Sequence, residues 1–196
     1  MGSQARTIER KVILRGLRPI MFDRYPGSNR EELAIEDKMY FEADGKTVVM
    51  PAVNISSFLS AQNTMSAPKR LLGKKAREVC QACLSFVSIS PGLIPFMRKG
   101  KPVLFSGFNE AGKDEKSGIY IDERVARINK AGNAIPNPKR RPVLPTPWEL
   151  EFTFSLFQND EIGEAEVKSV IERGGLALGL GTFRGVYGKF EIAVWK

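Results

Sequence analysis

Residues 148–157 read Trp-Glu-Leu-Glu-Phe-Thr-Phe-Ser-Leu-Phe, and this stretch decides the fold class. Trp148, Leu150, Phe152, Phe154 and Leu156 alternate with Glu149, Glu151, Thr153 and Ser155. That is the period-2 signature of a strand with one buried and one wet face. A helix is predicted next, from Glu161 to Arg173. Acids sit in its first turn, where the helix dipole favours them, and Gly174 would be its C-terminal cap. A glycine-rich segment over 174–188 follows. The last strand is Lys-Phe-Glu-Ile-Ala-Val-Trp at 189–195, with Phe190, Ile192 and Val194 on one face.

Working outward, residues 10–18 read as a first strand and 23–37 as a polar connection. Residues 38–50 read as a hairpin, because Asp44-Gly45 lies between two strand-forming runs. After Pro51, Asn54 would cap a helix from Ile55 to Gln62. A looser basic stretch over 63–73 leads into a second helix from Lys74 to Phe86. Short strands are expected over 91–108, around a turn at Arg98–Lys101, then a solvated loop over 109–118 and a strand over 119–128. Residues 129–147 hold Pro136, Pro138, Pro142, Pro145 and Pro147, which bars an interior strand or helix. The stretch is a linker or an extended excursion, and the well-patterned strands on both sides favour the excursion. The order is β, hairpin, helices, strands, loop, strand, helix, glycine-rich turn, strand. Two β-α-β halves of this kind make an α+β, ferredoxin-like (RRM-like) antiparallel sheet with helices on one face. The domain reading is one domain over 1–196, with 119–147 as an excursion within it.

The 196 residues carry a net charge of +8 and no histidine. The charge favours a polyanion partner. The missing histidine removes Ser-His and Cys-His nucleophile systems, histidine-metal sites and the usual general base. No apolar run reaches membrane length. No secretory signal opens the chain, and a myristoylation start would need Ser or Thr where Arg6 stands. A cytoplasmic setting is therefore expected, with no membrane partner. Cys80 and Cys83 make a C-x-x-C spacing within a helical pattern and read as packed thiols, not as a redox or zinc site. No cofactor or metal is expected.

Two features point to nucleic acid. In Leu-Gly-Leu-Gly-Thr-Phe-Arg-Gly-Val-Tyr-Gly-Lys-Phe at 178–190, Gly179, Gly181, Gly185 and Gly188 surround Arg184. Bare N–H groups there could wrap a phosphate. Thr182 lies within the turn, Arg184 and Lys189 add donors, and Phe183 and Tyr187 could stack on bases or sugars. The turn runs into a strand, so it is neither a dinucleotide fingerprint nor a P-loop. Charge is also segregated. Lys69, Arg70, Lys74, Lys75 and Arg77 fall within nine positions, and Arg124, Arg127, Lys130, Lys139, Arg140 and Arg141 bracket the proline-rich stretch. In neither group does an acid intervene.

The segment Gly-Leu-Gly-Thr-Phe-Arg-Gly-Val-Tyr-Gly-Lys-Phe-Glu-Ile at 179–192, closing a ferredoxin-like half, resembles the RAMP superfamily of CRISPR-associated proteins. So does Val-Val-Met-Pro-Ala-Val-Asn-Ile-Ser-Ser-Phe-Leu-Ser-Ala at 48–61, and so does the order of elements. In length the chain is similar to short phage-encoded proteins of this pattern. The resemblance implies binding of single-stranded RNA or DNA along the sheet face and the glycine-rich loop. It implies an excursion that acts as a thumb, lateral self-association into an oligomer or filament, and CRISPR effector subunits as partners. It places Gly179, Gly181, Thr182, Arg184, Gly185 and Gly188 in the strand-contacting loop, and Ser56 and Ser57 at a helix N-terminus facing phosphate. The chain departs from the family in being shorter than the usual backbone subunit and in lacking the histidine of guide-cleaving members. Target-cleaving members use a loop aspartate; nothing marks Asp23 or Asp37 as catalytic.

The expected function is a non-enzymatic protein that binds single-stranded RNA or DNA. The alternative from another class is a phage interaction, inhibitor or assembly subunit that uses the same fold without nucleic acid.

Overall fold

In the computed structural model, residues 7–28, 32–62, 65–109, 118–130 and 133–196 are described, and side chains at 126–137 are not. The strands are β1 Thr7–Gly16, β2 Ile20–Met21, β3 Tyr40–Phe41, β4 Val48–Pro51, β5 Val87–Ser90, β6 Leu93–Arg98, β7 Lys101–Pro102, β8 Tyr120–Lys130, β9 Asn133–Leu144, β10 Glu149–Phe157 and β11 Phe190–Trp195. The helices are α1 Ala52–Ser60, α2 Ala67–Leu71, α3 Ala76–Phe86 and α4 Glu164–Ala177.

The main sheet runs β11-β1-β10-β6-β4-β3, with β5 also on β10 and β7 on β6. Every pairing is antiparallel. β1, the α1–α3 group, β5/β6, β10, α4 and β11 thus reproduce the ferredoxin-like order. The decisive stretch behaves as its pattern requires. Trp148, Leu150, Phe152, Phe154 and Leu156 are all buried, and β10 lies at the centre against β1 from Glu149↔Arg15 to Phe157↔Thr7. Its wet face carries an ion-pair ladder, Lys11–Glu151 at 2.7 Å and Arg15–Glu149 at 3.0 Å.

Several boundaries move, each for a local reason. α1 begins directly after Pro51, so Asn54 is inside the helix and turns its amide to Met50 Sδ at 3.3 Å instead of capping. Ser56 and Ser57 therefore sit in the second turn, not at the N-terminus. The basic stretch before the second helix folds as α2 and a 3₁₀ turn at Gly73–Lys75. α4 starts three residues late, because Asn159 Oδ1 accepts from the amides of Glu161 and Ile162 and closes a turn there. It also runs past Gly174. A Cβ at Gly174 would stand 2.5 Å from the Ala67 Cβ, and one at Gly175 would stand 2.6 Å from the Phe190 carbonyl oxygen. The glycine pair lets α4 lie close on α2 and β11, and the left-handed residue after the helix is Gly179 (φ +81°).

Much of the proline-rich stretch is a strand, β9, which lies mostly at an edge and not in a sheet interior. β8 and β9 form a two-stranded ribbon in register from Tyr120↔Val143 to Lys130↔Asn133. Among the described residues β2 covers the other edge of β9 only at Val143 and Leu144, so there most of β9 has one neighbour and its prolines forfeit few bonds. Pro142 still accepts from Phe22 N through its carbonyl, at 3.0 Å.

Candidate nucleic-acid interface

The glycine-rich loop leaves α4, folds over β2 and returns into β11. Its amides are largely satisfied internally. Leu180 N donates to Gly188 O, Thr182 N to Met21 O, Gly185 N to Leu178 O, Tyr187 N to Phe183 O and Gly188 N to Pro19 O, at 2.7–3.2 Å. A Cβ at Gly188 would collide with Leu180 O, so this position requires glycine. Gly179 and Gly181 likewise face backbone at their Cβ positions. The turn is thus a packed loop and not the bare cradle of N–H groups expected from its composition. Gly185 alone of these four opens onto free space.

Arg184 is tied down too. Its Nε donates to Gly181 O at 3.2 Å and its Nη1 to Met65 O at 2.6 Å. Partial burial lowers its pKa. Tyr187 is buried and is no stacking platform. Its hydroxyl donates to Asp122 Oδ2 at 3.0 Å and accepts from Arg124 Nη2 at 2.8 Å, while Arg124 Nε donates to Asp122 Oδ1 at 2.7 Å. Burial, then the Asp122 charge, raises the Tyr187 pKa. This network, with the cluster Met21, Tyr120, Val143 and Tyr187, pins the ribbon to the loop.

The ribbon cations gain carboxylates that are remote in sequence. Arg141 Nε meets Asp23 at 2.7 Å, Lys139 meets Glu32 at 3.2 Å, and Arg140 stands 3.9 Å from Glu123. Lys38, buried, shares Glu32 at 3.2 Å and donates to Arg140 O at 2.9 Å. The two lysines hold the Glu32 carboxyl below its ordinary range. Arg127 and Lys130 have side chains outside the described residues.

The helical patch is different. Lys69, Arg70, Lys74, Lys75 and Arg77 are all exposed, and among the described residues none has a carboxylate within 4.0 Å. Lys69, Lys74 and Arg77 rim a dimple of about 300 Å³ whose lining has no acid; Cys80 is at its floor. Both cysteines are buried and free, and burial pushes the Cys83 thiol up to about 12.

A second concavity, about 460 Å³, lies beside the glycine-rich loop. Asp23, Arg24, Lys38, Tyr40, Asn54, Thr182 and Arg184 line it. Ser56 and Ser57 are not among its lining residues. Sequence reasoning missed Arg24, Lys38 and Tyr40, which only the tertiary fold brings together. Lys189 is half-buried beside β11, where its carbonyl accepts from Leu17 N at 2.8 Å. Among the surfaces read as binding faces, the wet sheet face fits least, since Glu149, Glu151 and Glu191 offset its Lys11 and Arg15. Asp23 is an ion-pair partner of Arg141, and nothing around it marks a catalytic role.

No family model and no curated protein matches the chain. Among solved structures it is similar to a chain in the cryo-EM structure of the Type III-B Cmr-beta complex bound to cognate target RNA. The TM-score is 0.56 at 13% identity over 97% of this chain. This chain spans 60% of that one. The likeness, together with the strand order, shows the fold: ferredoxin-like.

Proposed function

We propose that the protein is a non-catalytic binder of single-stranded nucleic acid, RNA or DNA. The observation that carries this reading is the helical patch. Lys69, Arg70, Lys74, Lys75 and Arg77 are five exposed cations with no described carboxylate within ion-pair distance; Lys69, Lys74 and Arg77 rim a concavity without acids, while Lys75 faces one lined by Glu78, Glu161 and Glu166. A solvated face would mix signs, whereas phosphate neutralisation needs uncompensated positive charge. Arg184 links the patch to the glycine-rich loop through Met65 O. The strand would run from the patch past Thr182, Gly185 and Lys189 to the ribbon, along Arg124, Arg127, Lys139, Arg140 and Arg141. Within one domain, the ribbon would serve as a thumb, gripping a strand bound by a neighbouring copy in a lateral oligomer or filament. The fold shared with a Cmr-beta chain supports a role in, or in mimicry of, a CRISPR effector.

The test is anisotropy of a labelled single strand of about 30 nucleotides, RNA or DNA, across a salt series. Wild type should bind with steep salt dependence. The triple variant Lys69→Ala/Lys74→Ala/Arg77→Ala should reduce the log–log slope by roughly 2. Absence of binding to either strand at low salt would overturn the reading and leave the fold as a scaffold for a protein partner.

A further inference from the structure

Phe183 has a conformation that its chemistry does not favour. It is a bulky residue at φ +54°, in the left-handed region that glycine or asparagine occupies without strain. The backbone holds it there, since Phe183 O accepts from Val186 N at 3.3 Å and Tyr187 N at 3.2 Å. Burial does not compensate the strain, because the ring is 37% exposed and belongs to neither hydrophobic cluster. Backbone strain that the core does not repay is characteristic of functional positions.

What surrounds the ring is ordered. The Arg124 and Arg141 guanidinium carbons each lie 5.8 Å from its centroid. Both arginines are fixed from behind, Arg124 by Asp122 and the Tyr187 hydroxyl, Arg141 by Asp23. Arg141 is itself 93% buried by its 7% exposure, and its Nη1 has no hydrogen-bond acceptor among the described residues. A buried donor without an acceptor is uncommon in folded proteins.

We infer that Phe183 is a stacking platform for one nucleobase of a bound strand, set beside Arg124 and Arg141 at the root of the ribbon. A nucleotide supplies what the place lacks. Its base offers a planar face to the exposed phenyl ring, and its oxygens offer acceptors to the two guanidinium groups. Stacking is tolerant of sequence, because every base has such a face. The inference rests on the nucleic-acid reading above and adds to it a contact with a base, not with phosphate.

The experiment compares an intact single strand with an abasic strand of the same length and the same phosphates. Wild type, Phe183→Leu and Phe183→Trp are titrated with both. Wild type should prefer the intact strand by about tenfold. Phe183→Leu should lose that preference with an unchanged salt slope, and Phe183→Trp should keep it. Tryptophan emission of Phe183→Trp, after subtraction of the wild-type signal, should be quenched by the intact strand only. This readout decides the question even if Phe183→Leu melts early. Equal wild-type binding of both strands overturns the inference and leaves phosphate binding standing, as does a preference that survives in Phe183→Leu, or an absence of added quenching. Failure of wild type to bind either strand sinks both readings.

Discussion

At the residue scale, the glycines over 174–188 do three different jobs that composition cannot separate. Gly174 and Gly175 let helices and a strand approach, Gly188 crosses the Leu180 carbonyl, and Gly185 faces open space. Substitution should therefore sort them. Gly188→Ala combines φ +69° with a backbone collision and should destabilise by about 3 kcal/mol or more. Gly185→Ala meets only the left-handed penalty at φ +90° and should lose about 1 kcal/mol. Thermal melts of the two variants check this, and equal shifts would contradict the packing described. Arg184 and Tyr187 teach the same lesson. Both read as ligand contacts in the sequence, yet Arg184 holds two carbonyl groups and Tyr187 anchors the ribbon.

At the scale of elements, α4 is fixed to the sheet at its first turn. Glu164 accepts from Trp195 Nε1 at 2.7 Å and from Arg10 Nε at 2.7 Å. These two partners, Trp195 first, hold its carboxyl below the ordinary 4.5. A depressed folded-state pKa contributes stability that is complete above 4.5 and lost as pH falls through the lower, folded value. Glu164→Gln should lower stability near neutrality by roughly 1 kcal/mol and flatten the loss of stability below pH 4.5. Urea titrations at neutral and acid pH check it; an unaltered acid limb would show that other carboxylates dominate. The ribbon shows how an element can escape its own propensity. Prolines that would end a central strand are carried by β9 because it is paired along most of its length only to β8.

For the whole molecule, the distribution of unpaired charge matters more than the net +8. The ribbon cations are matched by Asp23, Glu32 and Glu123, while the helical patch has no such partners among the described residues. Removing ribbon charge should thus weaken strand binding less than removing patch charge. Lys139→Ala/Arg140→Ala should keep most of the affinity that the triple patch variant loses, as read in the same salt series. If the ribbon variant proves the weaker binder, the strand path runs chiefly along the ribbon. Light scattering and particle length on those samples should report a regular number of nucleotides per protomer for a filament.

The sequence by itself determined the ferredoxin-like order, because strand alternation in β10 and β11 and the periodicity of α3 and α4 are local consequences of which residues must be buried. It also determined that Cys80 and Cys83 would pack inside, since they lie on the apolar side of a helix. Tertiary structure alone decided which cations stay unpaired, which loop amides are already bonded, and that Phe183 meets two arginines. Those properties depend on groups far apart in the chain, such as Asp23 and Arg141, whose meeting leaves no pattern in either neighbourhood.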